Sequence, residues 1–346
     1  MTMEIIVGLP HLNKGPILDR VVALRQPALI SANCLSRYSV SKGWRDWTGW
    51  RTGQLANARP LASLHLDSAG FVATARYGAF PWSIAHYVAL AAAFPFRWWA
   101  SADYCVEQEI AADRAQVLER LSRTIAANFE CRRRADDHGI LSTMMPVIQG
   151  RRPCDYERCL DALWGLIERA PLIGVGSMCR REVAGPEGLI AVVEHLDRIL
   201  PRSIRLHLFG VKGPAIPYLL PFGKRIRSID SQAYGTSARR EALSRGISKT
   251  DRFVADHLET WLGRQVGRLS YAPKALPINA PNATDALPAN GWEAAIAQAR
   301  GEIQALIEQG ELDHDALVEP WVETWAAGIY HRRRDEVRGP VTLAVR

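Results

Sequence analysis

The chain has no long apolar run. Its longest apolar stretch, Tyr87 to Phe96, contains Pro95 and meets Arg97, and so falls well short of the roughly 20 residues that a membrane-spanning helix needs. The opening residues Met-Thr-Met-Glu-Ile-Ile-Val-Gly have neither the basic region nor the apolar core of a signal peptide. A cytoplasmic protein with no membrane association is expected. Cysteine is sparse: Cys34, Cys105, Cys131, Cys154, Cys159 and Cys179 are scattered without the dense spacing of a disulfide framework. Reduced thiols are expected. There is no internal repeat, and the pair Gly174-x-Gly176 lacks the third glycine and the following acidic strand end of a dinucleotide fingerprint.

What is present is apolar mass and positive charge. With 346 residues, 48% of them hydrophobic, the chain can bury one barrel-sized core with additions, or two smaller cores. Its 43 Lys and Arg against 36 Asp and Glu give a formal charge of +7, which permits a polyanionic partner without requiring one. Arginines cluster at Arg132 to Arg134, Arg151–Arg152, Arg180–Arg181, Arg239–Arg240 and Arg332 to Arg334. Such clusters also arise as solvated helix ends. Arg151, Arg152, Arg180, Arg181, Arg239 and Arg240 are the candidates for phosphate contacts.

Apolar β-rich runs alternate with helical patterns, which is the signature of repeated βα units around a parallel sheet. Strands are expected near Pro27–Ala32, Ala62–Leu66, Arg97–Ala102, Thr143–Ile148, Leu172–Gly176, Arg205–Phe209 and Arg225–Ile229, with the eighth at either Met3–Val7 or Leu269–Ala272. Apolar residues at three- and four-residue spacing predict helices over Ser83–Ala93, Glu107–Asp137, Asp155–Arg169, Glu187–Leu200, Ser237–Arg264 and Trp292–Tyr330. A segment rich in Pro and Asn, Ala272–Asn290, reads as a linker. Trp261, Trp292, Trp321 and Trp325 are expected to anchor the C-terminal helices on the barrel. The reading is a TIM-type (β/α)8 barrel with a helical C-terminal extension, divided into a core over residues 1–235 and, over 236–346, a remaining barrel element with the helical extension.

Four strands end on a polar side chain: Leu-Ala-Ser-Leu-His-Leu on Asp67, Phe-Arg-Trp-Trp-Ala-Ser-Ala on Asp103, Met-Met-Pro-Val-Ile on Gln149 and Arg-Ile-Arg-Ser-Ile on Asp230. Any one such Asp can be a helix N-cap. Four together indicate a site on the C-terminal rim of a parallel barrel. His65 and His207 lie within strands, where they read as core histidines or, with Asp67 and Asp230, as a divalent-metal set.

These segments resemble the tRNA-guanine transglycosylase superfamily. His-Leu-Asp-Ser-Ala-Gly-Phe around Asp67 is similar to its Asp-Ser-Gly-Gly-Phe, Asp-Tyr-Cys at Asp103 to its Phe-Asp-Glu-Cys, and Val-Ile-Gln-Gly-Arg to its Val-Gln-Gly. Leu-Ile-Gly-Val-Gly-Ser falls at its glycine-rich base-contact loop, Leu-His-Leu-Phe-Gly-Val-Lys-Gly at its Leu-Met-Gly-Val-Gly, and Ser-Ile-Asp-Ser at its nucleophile segment. Six short motifs in order cover roughly residues 60–235. The Pro-Thr-Arg after the nucleophile is missing, and no cysteine follows Cys179, so the four-ligand zinc site of the bacterial tRNA enzymes is not expected. The shape is most similar to the deazapurine DNA-modification branch.

That resemblance implies exchange of guanine in DNA for a 7-deazaguanine such as 7-cyano-7-deazaguanine through a covalent Asp–sugar intermediate. Asp230 is the expected nucleophile, because a carboxylate holds an anomeric centre after the base leaves. Asp67 is implied as the acid/base group and Asp103 as the double acceptor for the guanine edge. Gln149 with Gly150, and backbone N–H groups near Gly174 and Gly176, would meet the carbonyl edge, with Ser68 beside them. Phe71, Tyr104 and Tyr234 are candidates to stack on an extruded base. No organic cofactor is expected. The expected partners are DNA, a free 7-deazaguanine base and other DNA-modification proteins. The alternatives are a tRNA base exchanger, a metal-dependent barrel hydrolase using His65, Asp67, His207 and Asp230, and an inactive nucleic-acid-binding relative.

Overall fold

A computed structural model describes residues 3–39, 46–77, 79–107, 110–111, 113–179, 181–270 and 291–308, together with 322, 325, 326, 329 and 330. Eight strand positions form one parallel sheet: β1 (Glu4–Leu9), β2 (Pro27–Ser31), β3 (Ser63–Asp67), β4 (Trp99–Ala100), β5, β6 (Leu172–Val175), β7 (Arg205–Leu208) and β8 (Ile226–Ser231). β5 comes in two pieces, Met144–Met145 and Val147–Ile148. Pro146, which has no N–H to give to the ladder, separates them. The first piece pairs with β4 and the second with β6, while β1 pairs with both β2 and β8. The sheet therefore runs round into a TIM-type barrel.

Of the two candidates for the eighth strand, the N-terminal one supplies it, as β1 between β2 and β8. Ser270 ends the described part of the other candidate, and the linker Ala272–Asn290 lies outside the described residues. Among the described residues after 235, every element is helical.

The helix expected from Glu107 begins at Arg114 and runs to Asp137. Asp113 sets that start, because its carboxylate accepts from the backbone N–H groups of Ala115 and Gln116 at 3.0 and 3.1 Å and caps the helix there. Likewise the expected Ser237–Arg264 helix is two, Ala233–Ser244 and Asp251–Arg268. Gly246, with φ 61, turns the chain out of the first, and the Thr250 hydroxyl caps the second on Phe253 N–H. The stretch from 155 breaks at Leu163 into Pro153–Ala162 and Trp164–Ile167.

The main core lies between sheet and helices, while Ile6, Leu29, Trp98, Ala100, Met145 and Val147 fill the barrel interior with Leu172 and Phe209. His65 and His207 are also fully buried there, each tilted against Trp98 with ring centroids 4.5 and 4.7 Å away. Trp261 joins the main core as expected. Trp325 instead belongs to a separate cluster with helix Gly291–Glu308, and Trp292 is 42% exposed. Trp321 lies outside the described residues. Among the described residues no helix is long and apolar enough to cross a membrane, and none of the six cysteines forms a disulfide.

Candidate active site

Parallel in-register pairing puts the strand ends side by side, with Ser31 opposite Asp67 and Ile6 opposite Asp230. A cavity of about 780 Å³ opens above them, lined by Asp67, Asp103, Gln149 and Asp230 together. Four side chains delivered by β3, by the segment after β4, by the end of β5 and by β8 thus face one space.

Asp67 closes β3, and its Oδ2 accepts the Ala69 N–H at 3.0 Å. Ala69 has φ 66, a left-handed conformation that costs about 1 kcal/mol for a residue with a Cβ. The transglycosylase segment has glycine at this position, so the turn is kept here at the expense of strain. Burial raises the Asp67 carboxyl to about 7, and the nearby Asp103 and Asp230 charges add to the effect. Near neutrality it can both hold and release a proton.

Asp103 is buried, and burial raises its carboxyl above the ordinary range despite two donors. Its Oδ1 accepts the Ser68 hydroxyl at 2.6 Å and its Oδ2 accepts the Gln149 amide. Gln149 Oε1 in turn accepts the Ser177 hydroxyl at 2.6 Å, and Ser177 Oγ accepts the Val106 N–H at 2.7 Å. This buried network ties four strand ends together and fixes which face of the Gln149 amide meets Asp103. Ser177, at φ 56, is a lining residue that sequence reading missed. Gly176 permits the arrangement, since a Cβ there would overlap the Gln149 side chain.

Asp230 is buried, and its Oδ1 accepts the Gly210 N–H at 2.8 Å. Gly210 has φ 66, and a Cβ on it would lie 2.9 Å from that of Cys179. Glycine is required there twice over, by backbone conformation and by space.

Several expected contacts are placed differently. The Gly174 and Gly176 N–H groups donate to Pro146 and Ile148 carbonyls at 2.8 and 3.0 Å, so the sheet consumes them and neither is free for a base. Gly174 instead makes room for Phe209, whose ring a Cβ would approach to 2.7 Å. Gly150 lies off the cavity, packed against Tyr156 and giving its carbonyl to Arg181. Ser68 is fully buried behind Asp103. Of the aromatics, Phe71 lines the cavity and also packs on the C-terminal cluster. Tyr104 is not among the lining residues; its ring holds the Arg123 guanidinium at 4.1 Å and Phe80 edge-on. Tyr234 is fully buried and donates its hydroxyl to the Gly8 carbonyl at 2.7 Å. It braces β1 against helix Ala233–Ser244 and has no face to offer a base.

The arginines divide similarly. Arg240 lines the cavity and is exposed, and Lys212 is a second cation on the lining. Arg239 is half-buried and off the lining. Arg151 and Arg152 both pair with Glu187, at 2.7 and 3.3 Å. Arg180 lies outside the described residues. Arg181 is 3% exposed, and its guanidinium donates to the carbonyls of Ser177, Arg151, Glu187 and Gly150 and to the Tyr156 hydroxyl. All its donors are spent inside the protein, so it is a brace for the loop after β6 and not a phosphate ligand. Replacing Arg181 with Ala leaves these acceptors buried without donors and is expected to lower stability by about 3 kcal/mol or more. Thermal unfolding measures this directly, and the salt dependence of nucleic-acid binding by the folded fraction should not change.

The alternative metal set does not assemble. His65 Nδ1 points at the Ala28 carbonyl 2.9 Å away, and burial holds the His65 imidazole down to about 3. Among the described residues no three His, Cys, Asp or Glu side chains are grouped to hold a metal ion.

Residues 38–299 match the family described as DpdA, DeoxyPurine in DNA protein A. No curated protein matches the chain.

Proposed function

Because the chain belongs to the DpdA family of deoxypurine-in-DNA proteins, we propose that its cavity exchanges guanine in DNA for a free 7-deazaguanine, such as 7-cyano-7-deazaguanine, at one deoxyribose carbon. The observation that carries this reading is the meeting of Asp67, Asp103, Gln149 and Asp230 in one cavity of about 780 Å³. That is room for a base with its sugar.

A carboxylate oxygen of Asp230 attacks the anomeric carbon as the bond to guanine breaks, and the electron pair leaves with the base. Asp67 donates its proton to the departing ring nitrogen. The incoming base then gives its ring proton to Asp67 and attacks the same carbon, which expels Asp230 as carboxylate. Atoms and charge balance with no hydrolysis of ATP and no organic cofactor, as one glycosidic bond replaces another. Asp103, held by Ser68 and Gln149, accepts the N–H groups of a guanine-type edge. The target base must leave the stack at a cost of a few kcal/mol. Phe71 on the lining offers it a replacement surface, while Arg240 and Lys212 suit the flanking phosphates.

The test is release of labelled guanine from duplex DNA and from tRNA in parallel, with 7-cyano-7-deazaguanine supplied. Release from DNA alone is expected. Release from tRNA alone would overturn the choice of polymer, and release from neither would overturn the exchange reaction.

A further inference from the structure

Among the described residues His207 is the one histidine paired with the proposed nucleophile, and its surroundings fix more than its packing. It is fully buried, clamped between the rings of Trp98 at 4.7 Å and Phe209 at 4.5 Å. Its Nδ1 lies 2.9 Å from the Ser228 hydroxyl. Its Nε2 lies 3.3 Å from Asp230 Oδ1, yet among the described residues it has no aligned hydrogen-bond partner. A buried ring nitrogen in that state is costly unless it serves the group it faces. The two tautomers differ sharply here. If Nδ1 carried the proton, the Nε2 lone pair would point at a carboxylate oxygen. If the Ser228 hydroxyl donates to Nδ1, the proton sits on Nε2 and faces that oxygen from 3.3 Å, off the line of a hydrogen bond.

We propose that His207 is a positioning residue for Asp230, held by Ser228 as the Nε2–H tautomer, and that it assists expulsion of the Asp230 carboxylate from the sugar. This rests on Asp230 being the nucleophile. Oδ1 already accepts the Gly210 N–H at 2.8 Å. With His207 Nε2 only 3.3 Å from the same atom, Oδ1 is the anchored oxygen and Oδ2 is the one that bonds the anomeric carbon. In the covalent intermediate Oδ1 becomes the ester carbonyl. When the incoming base attacks, the Oδ2–carbon bond breaks, its electron pair returns to the carboxylate, and negative charge reappears on Oδ1. A donor that swings into line with that atom from 3.3 Å away stabilises the leaving group at the moment charge develops. Out of line before attack, the donor adds little to the free carboxylate, so its benefit falls on the second half of the exchange.

The experiment is a chase of the preformed protein–DNA adduct with 7-cyano-7-deazaguanine. His207→Phe keeps the ring packing between Trp98 and Phe209 but removes the N–H. Its chase is expected to be about 10- to 100-fold slower than that of the unaltered protein, the size of one hydrogen bond to a charged group, and the adduct should build up at steady state. A merely structural loosening would instead lower the adduct. A folded His207→Phe protein that chases at the normal rate overturns the proposal. Should that variant not fold, Ser228→Ala decides in the same assay: a slower chase with more adduct supports the assignment, and a normal chase overturns it. No adduct at Asp230 in the unaltered protein would sink the nucleophile itself, a result separable from an Asp230 adduct whose chase ignores His207.

Discussion

Asp230→Asn should abolish base exchange, by on the order of 10⁴-fold or more, while leaving the barrel folded. The amide retains an oxygen to accept the Gly210 N–H that Asp230 Oδ1 accepts now, so the turn after β7 keeps its partner. What is lost is the anionic nucleophile. Removing a buried negative charge beside Asp67 also relieves a repulsion that helps raise the Asp67 carboxyl, so the melting temperature should hold or rise. Steady-state exchange and a thermal melt on the same preparation check both halves. Activity within about tenfold of normal would reject the assigned nucleophile, and an unfolded variant would reject the claim that this carboxylate serves chemistry at some cost to stability.

Asp67→Asn should lose about 10²- to 10⁴-fold in exchange, the usual span for a general acid/base group, and should be more stable than the unaltered protein at alkaline pH. The sign follows from linkage. Burial, with Asp103 and Asp230 nearby, raises the folded-state Asp67 carboxyl from 3.8 to about 7, so between these values the folded protein holds a proton that the unfolded chain has released. Stability from this group is complete below about 4, falls as pH rises through about 7, and stays low above it. Asn does not ionise and escapes that loss. After allowance for relaxation around the site, the gain is about 1 to 2 kcal/mol at pH 8, a rise of a few °C. It should vanish near pH 4. In the unaltered protein, exchange should decline as pH rises through about 7, because guanine departure needs Asp67 protonated. A stability advantage over the unaltered protein that is no larger at pH 8 than at pH 4 would contradict the raised carboxyl.

The parts legible in sequence are those governed by strand ends. An apolar run that stops on Asp67, Asp103, Gln149 or Asp230 specifies where each side chain emerges from a parallel barrel, and the four line one cavity. The arginine clusters illustrate what sequence conceals. Arg152 and Arg181 look alike as members of basic pairs, yet Arg181 turns inward to join the carbonyls of four residues. Nothing in spacing encodes that rotamer. Tyr234 sits four residues beyond Asp230, close to the site in sequence, but as the second residue of helix Ala233–Ser244 it turns its hydroxyl to Gly8 on β1. The Gly174 and Gly176 N–H groups are implied as base contacts by the resemblance, although Leu172–Gly176 itself reads as a strand. Here β6 runs through Val175, and its ladder claims them. Ser177 was illegible for another reason, since its value lies in Gln149, which only the closed sheet brings near, and His207 reads in sequence as a core or metal-binding histidine without its specific approach to Asp230.

The most direct measurement is a trapped covalent adduct. Protein and DNA incubated with guanine or a competing 7-deazaguanine, then quenched with denaturant and digested, should yield one peptide bearing a deoxyribose fragment, with the modified atom on Asp230. No adduct, or an adduct on Asp67, Asp103 or any other residue, would contradict the account.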